Sequence, residues 1–173
     1  MKEELPLMIK KKICMLGAFA VGKTSLVQRY VNSIFSDRYQ TTVGVKIDKK
    51  TICIGTRKLD LILWDLNGED EFQEVRVSYL RGASGCLYVI DGTRTATVTT
   101  VLKLEKRVIE NLGNIPSVFA LNKIDLSDQG EIDTQLIAQL EDNRGEFVRT
   151  SAKTGQGVET VFQRLVQQIM AEH

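Results

Sequence analysis

Eight consecutive residues, Gly17-Ala18-Phe19-Ala20-Val21-Gly22-Lys23-Thr24, fit the pattern G-x-x-x-x-G-K-[ST]. A short apolar run, Ile13 to Leu16, leads into them, and a helical pattern, Ser25 to Val31, leads out. A strand that ends in a glycine-rich turn and restarts as a helix aims successive backbone N–H groups at one point. Together with the helix N-terminus this makes a nest for an anion. The candidate phosphate-binding residues are Ala20, Val21, Gly22, Lys23, Thr24 and Ser25. Lys23 would set a cation against the outer phosphates, and the Thr24 hydroxyl can ligate Mg²⁺.

Elsewhere the apolar pattern alternates between two periods. Val45 to Ile54 and Lys58 to Leu66 alternate apolar and polar residues across Gly55-Thr56, which predicts a hairpin. Gly85 to Ile90, Ser117 to Leu121 and Phe147-Val148 read as short buried strands. Helical spacing links Val101, Leu104, Val108, Ile109 and Leu112, which stop at Gly113. It also links Ile132, Leu136, Ile137 and Leu140, and a long stripe from Val158 to Met170. Strands alternating with helices predict an α/β fold: a mostly parallel sheet with one antiparallel hairpin strand and helices on both faces. In such a sheet ligands bind beyond the carboxyl ends of the strands. No linker or repeat divides the 173 residues, so one domain over 1–173 is expected.

Asn122-Lys123-Ile124-Asp125 closes the strand Ser117 to Leu121. An Asp carboxylate accepts both hydrogens of the guanine Watson–Crick edge, whereas adenine presents the opposite polarity at its ring nitrogen. A site built for such hydrogen bonds rejects the mispaired base strongly. Ser151-Ala152-Lys153 follows the next strand and could add a backbone N–H to the guanine oxygen. Each tripeptide or tetrapeptide is a weak signal by itself; their order along the chain is a strong one.

Composition excludes several alternatives. The formal net charge is +1, and Lys10 to Lys12 is too short a run to recruit nucleic acid. That triplet followed by Ile13 to Val21 imitates a signal peptide, but Gly22-Lys23-Thr24 stands where a cleavage site should be. No apolar run approaches the roughly 20 residues of a membrane span. Cys14, Cys53 and Cys86 have no metal-ligand spacing and read as small core residues in a reducing cytoplasm.

Taken together, these motifs resemble the Ras-like small GTPases, with the Rab branch the nearest, over about Lys12 to Met170. The resemblance also draws on Thr41-Thr42-Val43-Gly44-Val45, Trp64-Asp65-Leu66-Asn67-Gly68-Glu69 and Tyr79-Leu80-Arg81-Gly82-Ala83. It implies the P-loop small G-protein fold, a six-stranded sheet, and GTP or GDP bound with Mg²⁺. It implies Phe35 packed on the guanine, Tyr39 over the phosphates, and Thr24, Thr42 and Asp65 around the metal. Thr42 and the Gly68 N–H would reach the γ-phosphate, so Lys23, Thr42, Gly68 and Glu69 are the residues expected to carry hydrolysis. The segments Phe35 to Val45 and Gly68 to Tyr79 would change with the nucleotide and be read by effector, exchange-factor and activating proteins. A monomer is expected.

Three residues depart from the family pattern. Glu69 stands where a water-orienting Gln is usual, Asn67 replaces an alanine, and Phe19 occupies a position that is usually small. Nucleotide binding should survive all three, while hydrolysis is expected to be slow; the alternative is a GTP-binding scaffold with little turnover. A kinase or ATPase built on the same loop is a third, weaker reading. With Glu172-His173 last and no cysteine after Cys86, a lipid anchor is not expected in this chain. Peripheral membrane association is expected only if a tail is missing.

Overall fold

The computed structural model describes residues 8–37, 44–68, 75–129, 132, 134–144 and 147–172. Among these the strands are β1 (Ile9–Gly17), β2 (Val45–Ile54), β3 (Arg57–Leu66), β4 (Gly85–Asp91), β5 (Ser117–Asn122) and β6 (Phe147–Arg149). The helices are α1 (Lys23–Asn32), α2 (Val77–Leu80), α3 (Ala96–Leu112), α4 (Thr134–Arg144) and α5 (Val158–Ala171), with a 3₁₀ turn over Ile124–Gln129. The strand order is β2-β3-β1-β4-β5-β6. Only β2 runs antiparallel to its neighbour among the described pairings, through the hairpin whose Ile54 faces Arg57.

The sheet sorts its side chains by the period-two rule. In β1, Ile13 and Met15 enter one buried cluster with Val27, Phe162 and Leu165, on the side covered by α1 and α5. Cys14 and Leu16 enter the other with Val101, Leu104, Val108 and Ile137, under α3 and α4. The central strands β1 and β4 are therefore apolar on both faces, which is why they read as continuous runs rather than as alternations. The stripe of α5 packs Phe162 against Tyr30 of α1, ring centroids 3.9 Å apart and nearly parallel.

Three local features differ from expectation. β1 starts at Ile9, four residues before the apolar run, because Ile9 to Lys12 pair with Leu59 to Ile62 of β3 before β4 joins at Ile13. Lys12 lies in that overhang, its Nζ 3.6 Å from the Trp64 ring centroid and donating to the Arg81 carbonyl at 2.8 Å. Cys14 and Cys86 are buried as expected, but Cys53 is exposed near the tip of the β2–β3 hairpin, on the opposite face of the strand from Ile52, which packs against the core. The short α2 has too few turns to leave a periodic signature.

Candidate functional site

The carboxyl ends of β1, β4 and β5 and the segment after β6 meet along one rim of the sheet. A cleft of about 530 Å³ opens there, and residues from both ends of the sequence line it. Phe19, Ala20, Gly22, Lys23, Thr24 and Ser25 form one end. Asn122, Lys123, Asp125, Ala152 and Lys153 form the other, with Phe35 and Gly68 on the walls. Val21, Ser151 and Asp65 stand just behind this lining. Val21 and Asp65 are fully buried, and the Ser151 hydroxyl donates to Asp125 Oδ1 at 2.7 Å. Tyr39, Thr42 and Glu69 lie outside the described residues.

The turn between β1 and α1 depends on backbone that only glycine tolerates. Gly22 has φ 103°, and a β-carbon there would collide with the Asn122 amide. The Gly22 carbonyl accepts the first helical bond of α1, from the Leu26 N–H at 2.9 Å. Lys23 folds back under the turn and donates to the carbonyls of Gly17 at 3.2 Å and Ala18 at 2.8 Å. It is only 5% exposed. Burial pushes its pKa down to about 8, against the opposing pull of the Asp65 carboxylate and with the added repulsion of Arg94. An anion placed above this buried ammonium stabilises its charged form.

Beside it the Thr24 hydroxyl donates to Asp65 Oδ2 at 2.6 Å. A hydroxyl and a buried carboxylate in contact are hard oxygen donors, the set that suits Mg²⁺ when phosphate oxygens and water supply the rest. Gly68 closes this side. A β-carbon on it would strike the backbone of Phe19, so the segment after β3 packs directly on the phosphate turn.

The other end is fixed through Asn122, which is 1% exposed. Its Nδ2 donates to the Val21 carbonyl at 3.0 Å, and its Oδ1 accepts from Thr150 Oγ1 at 3.1 Å and the Ala152 N–H at 3.3 Å. Lys123 Nζ donates to the Ala20 carbonyl at 2.8 Å. One strand end thus holds both loops. Asp125 is oriented by Ser151, and Arg29 of α1 anchors the far loop by donating to the Lys153 carbonyl at 2.9 Å.

A third group had no motif to announce it. Asp91, the last residue of β4, is 1% exposed. Burial by itself would raise its carboxyl, but hydrogen bonds from Thr93, Lys123 and Arg94 outweigh this and hold it below the usual range. Lys123 Nζ stands 2.9 Å from Asp91 Oδ2, and Arg94 Nε stands 3.0 Å from the same oxygen. The signal in the sequence is positional: Asp91-Gly92-Thr93-Arg94 follows a buried strand toward the rim where the other motifs lie.

Comparison with known proteins agrees with this geometry. The model of the Ras family matches residues 12–171. Ras-related protein Rab-25 of Mus musculus is 32% identical over 163 residues, 93% of this chain and 76% of the relative. From Dictyostelium discoideum, Ras-related protein RabJ is 33% identical over 162 residues (92% of this chain, 63% of the relative). Ras-related protein Rab-7a of the same organism is 32% identical over 161 residues (89% and 79%). The chain belongs to the Ras family and is a small GTPase of Rab-like sequence.

Proposed function

We propose that this cleft holds GTP or GDP with Mg²⁺, and that the chain hydrolyses GTP slowly and alters its switch surfaces between the two states. The reading takes residues 1–173 as one guanine-nucleotide-binding domain. The observation that carries it is the bond from Asn122 to the Val21 carbonyl, which joins an anion nest to a carboxylate suited to guanine within one cleft.

In this reading the N–H groups of Ala20 to Ser25 and the Lys23 ammonium bind the phosphates. Asp125 accepts the N1–H and amine of guanine, a backbone N–H of the segment Ser151-Ala152-Lys153 faces the guanine oxygen, and Phe35 packs against the base. Thr24, Asp65 and Thr42 hold the metal, which when bound offsets charge on the phosphate oxygens. Water attacks the γ-phosphorus as its bond to the β–γ bridging oxygen breaks, and the charge developing on that oxygen faces Lys23 and the nest. Gly68 and Thr42 contact the γ-phosphate, so the segments holding them change when it leaves. Effector, exchange-factor and activating proteins read those segments.

A second reading, a GTP-holding scaffold with little turnover, is supported by Phe19. Phe19 is 40% exposed on the cleft wall, and its backbone lies against Gly68. A ring there obstructs an entering arginine, and Glu69 adds negative charge beside phosphate when ionised. Nucleotide extracted from freshly purified protein, followed by single-turnover phosphate release, tests both. Slow conversion of GTP to GDP supports the first reading and retained GTP the second. A faster rate in Phe19→Gly with Glu69→Gln assigns the slowness to those residues, and an unchanged rate removes that assignment.

A further inference from the structure

Five consecutive carbonyl oxygens of the phosphate turn are each taken by a side-chain donor. Lys23 serves Gly17 and Ala18, Lys123 serves Ala20, and Asn122 serves Val21. The remaining one, Phe19, accepts from Arg94 Nη2 at 2.6 Å. Arg94 belongs to none of the nucleotide motifs.

We propose that Arg94, braced by Asp91, is a positioning residue that sets the Phe19–Ala20 peptide and thereby the affinity of the cleft for GTP relative to GDP. The inference rests on the nucleotide reading of the cleft and adds a determinant of its specificity.

A trans peptide is planar, so its carbonyl and the following N–H point in opposite directions. Arg94 is not part of the cleft lining, whereas Ala20 is. Holding the Phe19 carbonyl toward Arg94 therefore turns the Ala20 N–H toward the cleft. Ala20 has φ 65°, a left-handed conformation that an L residue keeps only when its surroundings impose it. The carbonyls on either side of its φ, those of Phe19 and Ala20, are the two that Arg94 and Lys123 hold. Both cations meet at Asp91 Oδ2, so one buried carboxylate fixes the pair.

Arg94 is suited to this by shape. Its planar guanidinium spends Nε on Asp91 and Nη2 on Phe19, a two-point geometry that the single ammonium of lysine cannot reproduce. The consequence reaches the third phosphate through Gly68, which packs on the Phe19 backbone. A Phe19 peptide free to rotate would disturb the wall against which Gly68 closes. The diphosphate, gripped by the later N–H groups and Lys23, depends on that wall less.

The test measures dissociation constants for GDP and for a non-hydrolysable GTP analogue on the full chain, for wild type, Arg94→Ala, Arg94→Gln and Arg94→Lys. Loss of a charge-assisted hydrogen bond predicts about tenfold weaker binding of the GTP analogue in Arg94→Ala, with GDP weakened by less than about threefold. Arg94→Gln, which keeps the stem, should show the same selective loss and remains informative if the alanine variant misfolds. Arg94→Lys should restore part of that relative affinity. Equal weakening of both nucleotides, or no weakening, overturns the proposal while leaving the nucleotide site intact. Wild-type protein that binds neither nucleotide overturns the reading of the cleft, and this inference with it.

Discussion

Asn122, at the end of β5, donates its side-chain amide to the Val21 carbonyl 101 residues earlier, at 3.0 Å. This bond crosses from the base motif to the phosphate turn and is shielded from water, as Asn122 is 1% exposed. Buried polar groups are costly to leave unpaired. Asn122→Ala should therefore destabilise the nucleotide-free protein by about 2 kcal/mol. Urea unfolding checks this, and an unchanged midpoint would mean that water replaces all three bonds of the side chain.

Gly68 has room for no side chain. Gly68→Ala forces the segment after β3 away from Phe19 and, with it, the backbone N–H assigned to the γ-phosphate. The expected result is GDP affinity within about threefold of wild type and GTP affinity reduced by tenfold or more, since about 1.4 kcal/mol is a factor of ten. Titration with the two nucleotides checks the difference.

Lys23 gives the protein a pH signature. Its folded pKa, about 8, lies below its ordinary value of 10.5, so between these values the unfolded chain binds more protons. The buried charge costs stability in full below about pH 8, and the cost is relieved as pH rises toward 10.5. Nucleotide-free protein should therefore gain stability from this group over that window. Phosphate binding, assigned to the ammonium of Lys23, should run the other way: affinity should be full below about pH 8 and decline above it. Lys23→Met should abolish both trends in parallel titrations of stability and affinity.

The choice of base is assigned to Asp125 in the proposed reading of the cleft. With Ser151 donating to one carboxylate oxygen at 2.7 Å, the side chain is oriented rather than free to rotate. Asp125→Ala should lower GDP affinity by a hundredfold or more, on the order of 3 kcal/mol, and erase the preference for guanine. Competition between GDP and its adenine counterpart reads the effect.

The two ends of the cleft were legible because each is written locally. The glycine spacing of 17–24 and the tetrapeptide 122–125 need only their own backbone and the strand before them. The hairpin at Gly55-Thr56 was legible for the same reason. Asp91 and Arg94 were not, since their meaning lies in partners 32 and 75 residues away: Lys123 for the carboxylate and Phe19 for the guanidinium. The exposure of Cys53 was hidden in the same way. An apolar alternation says that a strand has an inner face, but not that Cys53 lies on the face opposite to the one Ile52 packs on the core.

In the proposed reading, a phosphate nest and a guanine-reading carboxylate share one cleft. Competition of GDP and ADP for a fluorescent guanine nucleotide on the purified chain, with Mg²⁺ present, tests it most directly. GDP should displace the probe at concentrations at least a thousandfold below those ADP requires, about 4 kcal/mol of discrimination. Equal displacement by the two, or a probe that never binds, would contradict it.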